Sequence, residues 1–167
     1  MKEVGLRYAG AAAFLMIIVF LVSYYIGVHP FIEMSHLFFD FFIYGLVIYF
    51  ALNEFKTVNS EGILHFWQGM SIGFFVNIFS FGIYMVFLFL IMNFDENILI
   101  TYQQQAVDFL KIKSIQYIEG FGEEQYQSQL ETIQETTILE MTLMGGVKKF
   151  ISAMLITPVL SILKRKT

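Results

Sequence analysis

In the stretch HPFIEMSHLFFD, Glu33, His36 and Asp40 stand at i, i+3 and i+7, one face of a helix whose first turn suits Pro30. Glu-x-x-His is the spacing with which carboxylate-bridged metal bundles hold their ions, but such bundles need a second motif and further glutamates. The other histidines are His29 and His65, and His65 is expected on the cytoplasmic side, away from this cluster, so no metal site is expected. Ionisable groups at membrane depth can also relay protons. The reading favoured here is a structural polar cluster of Glu33 and His36 at the membrane interface. Asp40 has a natural partner in the pair Lys148 and Lys149. Asp40 lies 14 residues before Glu54, and 14 uncharged residues separate Lys149 from Lys164. Both charges therefore fall about 21–22 Å along a helix from the charges that end their spans, within a hydrocarbon thickness of about 30 Å. An ion pair between Asp40 and Lys148 or Lys149, tying the second span to the fourth, would relieve the cost of placing them there.

Other chemistry is scarce. The chain has no cysteine, which removes disulfides, thiolate metal sites and cysteine nucleophiles. No nucleophile, base and oxyanion donor can be assembled from motifs, so no catalytic residue, cofactor or enzymatic activity is expected. Residues 95–140 hold nine acidic residues against Lys111 and Lys113, a net −7, which leaves +3 for the remainder of a chain whose total is −4. With no basic patch bearing interleaved aromatics, nucleic acid is not an expected partner.

The elements that must position these residues follow from composition. A chain of 167 residues that is 57% hydrophobic, with 20 Phe and only 14% charged residues, belongs in a bilayer. Four stretches are long enough to cross it: about 8–28, 34–53, 68–93 and 142–163. The first is read as a retained span and not a signal peptide, because its apolar run is long and no small-residue cleavage site follows. Lys2, Arg7, Lys56, Lys164, Arg165 and Lys166 all fall on one side of such a bundle. The positive-inside rule then predicts cytoplasmic termini, with residues 95–140 outside the cytoplasm.

That extracytoplasmic segment, 95–141, carries two helical stripes. Leu99, Tyr102, Ala106, Phe109 and Leu110 form one, and Tyr126, Leu130, Ile133, Ile138, Met141 and Met144 the other. Gly120 and Gly122 offer positive φ for a reversal between them, and Glu123 and Glu124 suit the start of the second helix. The fold class is thus an all-α membrane protein in one domain, with four transmembrane helices and an amphipathic helical hairpin between spans three and four. The second arm is expected to run unbroken into span four.

In HFWQGMSIGFFVNIFSFG, Gly69, Gly73, Asn77 and Ser80 share one face of span three. Helices in lipid approach one another through small residues and side-chain hydrogen bonds, so this face should meet another span. Span one, with Gly10 to Ala13, is the preferred neighbour, with Ser152, Ala153 and Pro158 of span four as the alternative. Pro158 should also kink span four.

The stretches EGILHFWQGMSIGFF and GFGEEQYQ, with the short last span ending KRK, resemble a family of small bacterial membrane proteins. The family is known chiefly from Bacteroidota and described only as a domain of unknown function. His65 and Trp67 depart from its blander pattern. The resemblance implies a four-span inner-membrane architecture and supplies no catalytic residue. Two function classes remain. The preferred one is a non-enzymatic subunit or assembly factor of a cell-envelope complex, in contact with lipid and with other membrane subunits or its own copies. The alternative is a small transporter or channel component using the polar cluster.

Overall fold

A computed structural model describes residues 1–32 and 35–165, apart from the side chain of Ser35. Four long apolar helices, α1 (Lys2–Ile26), α2 (Ser35–Glu54), α3 (Phe66–Phe94) and α7 (Ile138–Lys164), have the length and composition to cross a membrane. Between α3 and α7 lie three shorter helices, α4 (Asn97–Ile112), α5 (Ser114–Phe121) and α6 (Glu123–Glu135). Among the described residues there is no strand, and the expected all-α architecture with four membrane-length helices is present.

Local chemistry sets the helix ends. Gly27, at φ 90°, closes α1, its N–H donating to Tyr24 O while the Val28 N–H donates to Ser23 O. α2 continues into a π-helical turn at Phe55–Asn59, and the chain then reverses through Glu61 (φ 48°) and Gly62 (φ 85°). α3 starts after His65, whose backbone N–H is accepted by the Gln68 side chain at 2.9 Å. The glutamine of HFWQG is therefore a helix cap.

The long helices alternate in direction. Arg7 near the start of α1 pairs with Glu54 at the end of α2, and Lys164 at the end of α7 reaches Asn53 at 3.3 Å. A Cβ at Gly69 near the start of α3 would lie 2.7 Å from Ser161 Oγ near the end of α7. So α1 and α3 run one way and α2 and α7 the other, with α3 in extensive contact with both α1 and α7. Buried residues from all four helices, among them Phe20, Ile48, Val76, Leu88 and Ala153, form the core. Phe14, Phe38, Phe42 and Phe74 stay exposed on the outside, as lipid-facing side chains do in a solvent that is itself apolar.

Three sequence expectations need correcting. The second arm of the hairpin does not run unbroken into α7. Thr136 and Thr137 leave the helical region, and Thr137 starts a new helix: its Oγ1 accepts from the Glu140 N–H, and Glu140 Oε2 accepts from the Thr137 N–H at 2.8 Å. This is the Thr-x-x-Glu capping box, legible in TTILE. The first arm is also broken, at Lys113, into α4 and α5, and of the two turn glycines only Gly122 has positive φ, Gly120 lying inside α5. Finally, the small-residue face of α3 meets α7, not α1. A Cβ on Gly10 would have nothing within 4 Å, whereas α1 approaches α3 through Gly5 against Phe75.

The hairpin joins its arms through side chains. Ile98, Tyr102, Ala106 and Leu110 of α4 are buried at four-residue intervals, and Tyr126 and Ile133 of α6 are buried two turns apart. Gln103 donates to the carbonyls of Gln134 and Thr136 at 2.9 and 3.2 Å.

Candidate functional site

At the hairpin end of the bundle, α1, the α1–α2 connection, α2, α3 and α7 enclose a cavity of about 240 Å³. His36, Asp40, Lys148 and Lys149 supply its charged and titratable lining, and Val19, Phe20, Phe31, Ile32, Leu37 and Tyr84 most of the rest. Asp40 faces inward because it leads the buried stripe of α2 that continues through Tyr44, Val47, Ile48 and Ala51. Lys149 faces inward as part of the α7 stripe that includes Gly145, Gly146, Ser152, Ala153 and Thr157.

Lys149 Nζ donates to Asp40 Oδ1, and the two residues are only 7% and 5% exposed. The same ammonium lies 4.6 Å from the centroid of the Tyr84 ring, a second favourable contact for a buried cation. Lys148, one residue earlier, donates instead to the Phe31 carbonyl at 3.0 Å and stays exposed. His36 lines the cavity with its ring 6.1 Å from that of Phe39. Glu33 lies outside the described residues. Among those described, no three His, Cys, Asp or Glu side chains converge on a position that could hold a metal ion.

The α3 face leads into this site from below. Gly69 and Gly73 admit Ser161 and Thr157 of α7, Asn77 Nδ2 donates to the Phe150 carbonyl at 3.2 Å, and Ser80 Oγ sits 3.1 Å from Tyr44 OH. Tyr84, which sequence reasoning passed over, is four residues beyond Ser80 on this same face, and that spacing was its signal. Phe31 had no such signal: its ring occupies the notch left by Gly145.

His29 has a structural role beside the cavity. It is 2% exposed, Nε2 lies 3.1 Å from the Ile98 carbonyl, and Nδ1 accepts from the Phe31 N–H at 3.4 Å. Both nitrogens are thus used by the neutral ring. Burial pushes its pKa down from 6.5 to about 4, against a raising contribution from the Ile98 carbonyl and with a small lowering one from His36. The unfolded chain therefore binds more protons than the folded one between those values, and stability falls as pH drops from 6.5 toward 4, by up to about 1.4 kcal/mol per pH unit. Melting in detergent at pH 7 and pH 4.5 should show a larger loss for the native sequence than for His29→Gln, and equal losses would remove His29 as the cause.

At the other end of the bundle, Glu54 holds both Arg7 and Tyr8, the latter at 3.0 Å, and Lys56 Nζ donates to the Lys164 carbonyl at 3.0 Å. Arg7, Lys56 and Lys164 thus lie together at this end, and the hairpin stands at the other.

A family model for a protein of unknown function, DUF4199, matches residues 7–166. The chain belongs to this family. The match spans all four apolar helices and the hairpin between them, so the cavity and the α3–α7 contact both lie within the family's unit. No curated protein and no solved structure matches the chain.

Proposed function

We propose that the protein is a non-enzymatic inner-membrane protein that serves as a subunit or accessory factor of a cell-envelope complex. In this reading both termini are cytoplasmic and residues 95–140 are periplasmic. The observation that carries it is the apolar surface on the hairpin. Ile112, Ile115 and Phe121 are 83%, 73% and 69% exposed, and Phe109 is half-exposed, on a segment outside the four membrane-length helices. Apolar side chains clustered outside the bilayer mark a contact surface. The cations at the opposite end support the orientation.

A small transporter or channel component is the second reading, favoured by the charged cavity. Below that cavity, however, α3 and α7 are in van der Waals contact through Gly69, Gly73, Thr157 and Ser161, which supports the subunit reading over a path through one copy.

Purification in mild detergent followed by mass analysis tests the choice. A reproducible partner chain is expected with the native sequence and should be lost from Ile112→Glu/Ile115→Glu. A lone homo-oligomer that moves ions in liposomes would overturn the subunit reading in favour of the second. Because the chain has no cysteine, Ser128→Cys gives one label site. It should react with an impermeant reagent added to spheroplasts, and protection would reverse the orientation.

A further inference from the structure

The cavity lining among the described residues combines one carboxylate, Asp40, with two ammonium groups, Lys148 and Lys149. Lys149 is committed to Asp40, which leaves Lys148 as the surplus cation. An ammonium has three donors, and one of those of Lys148 goes to the Phe31 carbonyl. The exposed lining residues are Leu37 of α2 and Lys148 of α7, while Phe20, Phe31, Asp40, Tyr84 and Lys149 are buried. The cavity is therefore reached past Leu37 and Lys148, with an apolar wall behind them. Lys148 stands 16 residues before Lys164, about 24 Å along α7, which sets its backbone in the far leaflet about 6 Å short of the headgroups, within reach of its long side chain.

A site with a cationic rim, an apolar wall and an opening between two membrane helices is complementary to one class of ligand. We propose that the cavity binds an anionic amphiphile, Lys148 contacting its phosphate or carboxylate oxygen and Val19, Phe20, Ile32 and Leu37 contacting its acyl chain. The Asp40–Lys149 pair serves as a neutral floor that holds α2 against α7 and keeps Lys149 from drawing the anion deeper. Basic pockets between membrane helices recognise anionic headgroups by this combination of charge and desolvation. The inference is independent of whether the hairpin binds a partner.

Native mass spectrometry of the full chain, released from detergent with phosphatidylglycerol or phosphatidylcholine, tests this. Phosphatidylglycerol should be retained about fivefold more than phosphatidylcholine, the preference expected from one basic side chain at the headgroup. Lys148→Gln should bring the ratio near one, Lys148→Arg should preserve it, and Lys113→Gln, outside the cavity, should leave it unchanged. Leu37→Trp, which keeps the charge and fills the opening, should lower phosphatidylglycerol retention. A melting temperature within the native range for Lys148→Gln separates lost binding from lost fold. Oleate retained in preference to phosphatidylglycerol, and dependent on Lys148, would identify a free fatty acid as the source of the anion. Equal retention of the two phospholipids, an unchanged ratio in Lys148→Gln, or displacement of phosphatidylglycerol by inorganic phosphate alone would each overturn the proposal.

Discussion

Replacing Gly73 with Leu is expected to separate α3 from α7 and to cost about 3 kcal/mol or more, at or above the top of the overpacking range. A Cβ at this position overlaps Thr157 Cγ2 and lies 2.8 Å from Thr157 Oγ1 and 3.1 Å from its Cβ. Thr157 has little freedom to move aside, because it is β-branched and its Oγ1 donates to the Ala153 carbonyl at 2.7 Å. Gly82 is the control: it lies on the same helix, and a Cβ there meets nothing within 4 Å. Gly82→Leu should change stability by no more than about 0.5 kcal/mol. Unfolding of both variants in one detergent makes the comparison, and equal loss at the two positions would remove the case for a specific packing face. A rescue sharpens it. Gly73→Ala should recover when combined with Thr157→Ala, which deletes Cγ2 and Oγ1. Gly69→Ala should recover less with Ser161→Ala, because the Ser161 Cβ remains 2.9 Å away and its backbone Cα 3.2 Å.

The second large effect is at the buried ion pair. Asp40→Asn or Lys149→Met alone leaves a charge desolvated between α2 and α7, and each is expected to cost about 3–5 kcal/mol. The double replacement should recover part of the loss, giving a coupling energy of about 1–3 kcal/mol in a double-mutant cycle. Lys148→Met supplies the contrast. Its ammonium is bonded to the Phe31 carbonyl and not to Asp40, so its cycle with Asp40→Asn should show much weaker coupling. If both lysine cycles were additive within error, the Asp40–Lys149 contact would contribute nothing beyond its separate parts. If Asp40→Asn were fully stable yet inactive in cells, Asp40 would become the leading candidate for an ion or proton site, and the transport reading would gain over the subunit reading.

Much of the architecture is legible before folding is considered. Four long apolar runs in a chain this poor in charge have one stable arrangement in lipid, helices that satisfy their own backbones. The stripes of the hairpin likewise fix which side of α4 and α6 is buried: Tyr102, Ala106, Tyr126 and Ile133 face inward. Phe109, placed on the stripe by spacing, is instead half-exposed, because Ile98, Tyr102, Ala106 and Leu110 at strict four-residue intervals already fill the narrow seam. The break before α7 was also in the sequence, as Thr137 and Glu140, but apolar periodicity continues across it and hides it.

The sequence by itself determined the number of spans, the packing face of α3, and the depth at which Asp40 needs a cation. Only the tertiary structure decided that Lys149 is the cation, with Lys148 left at the rim, and that α7 is the neighbour that fills Gly69 and Gly73. The reason is geometric. Consecutive helical residues point about 100° apart, so adjacent lysines at one depth face different ways, and their roles depend on how α7 is rotated about its axis. That rotation is set by the fit of Thr157 and Ser161 against the glycines of α3, and of Phe31 against Gly145. These are pairings between distant segments, and no spacing within a single helix records them.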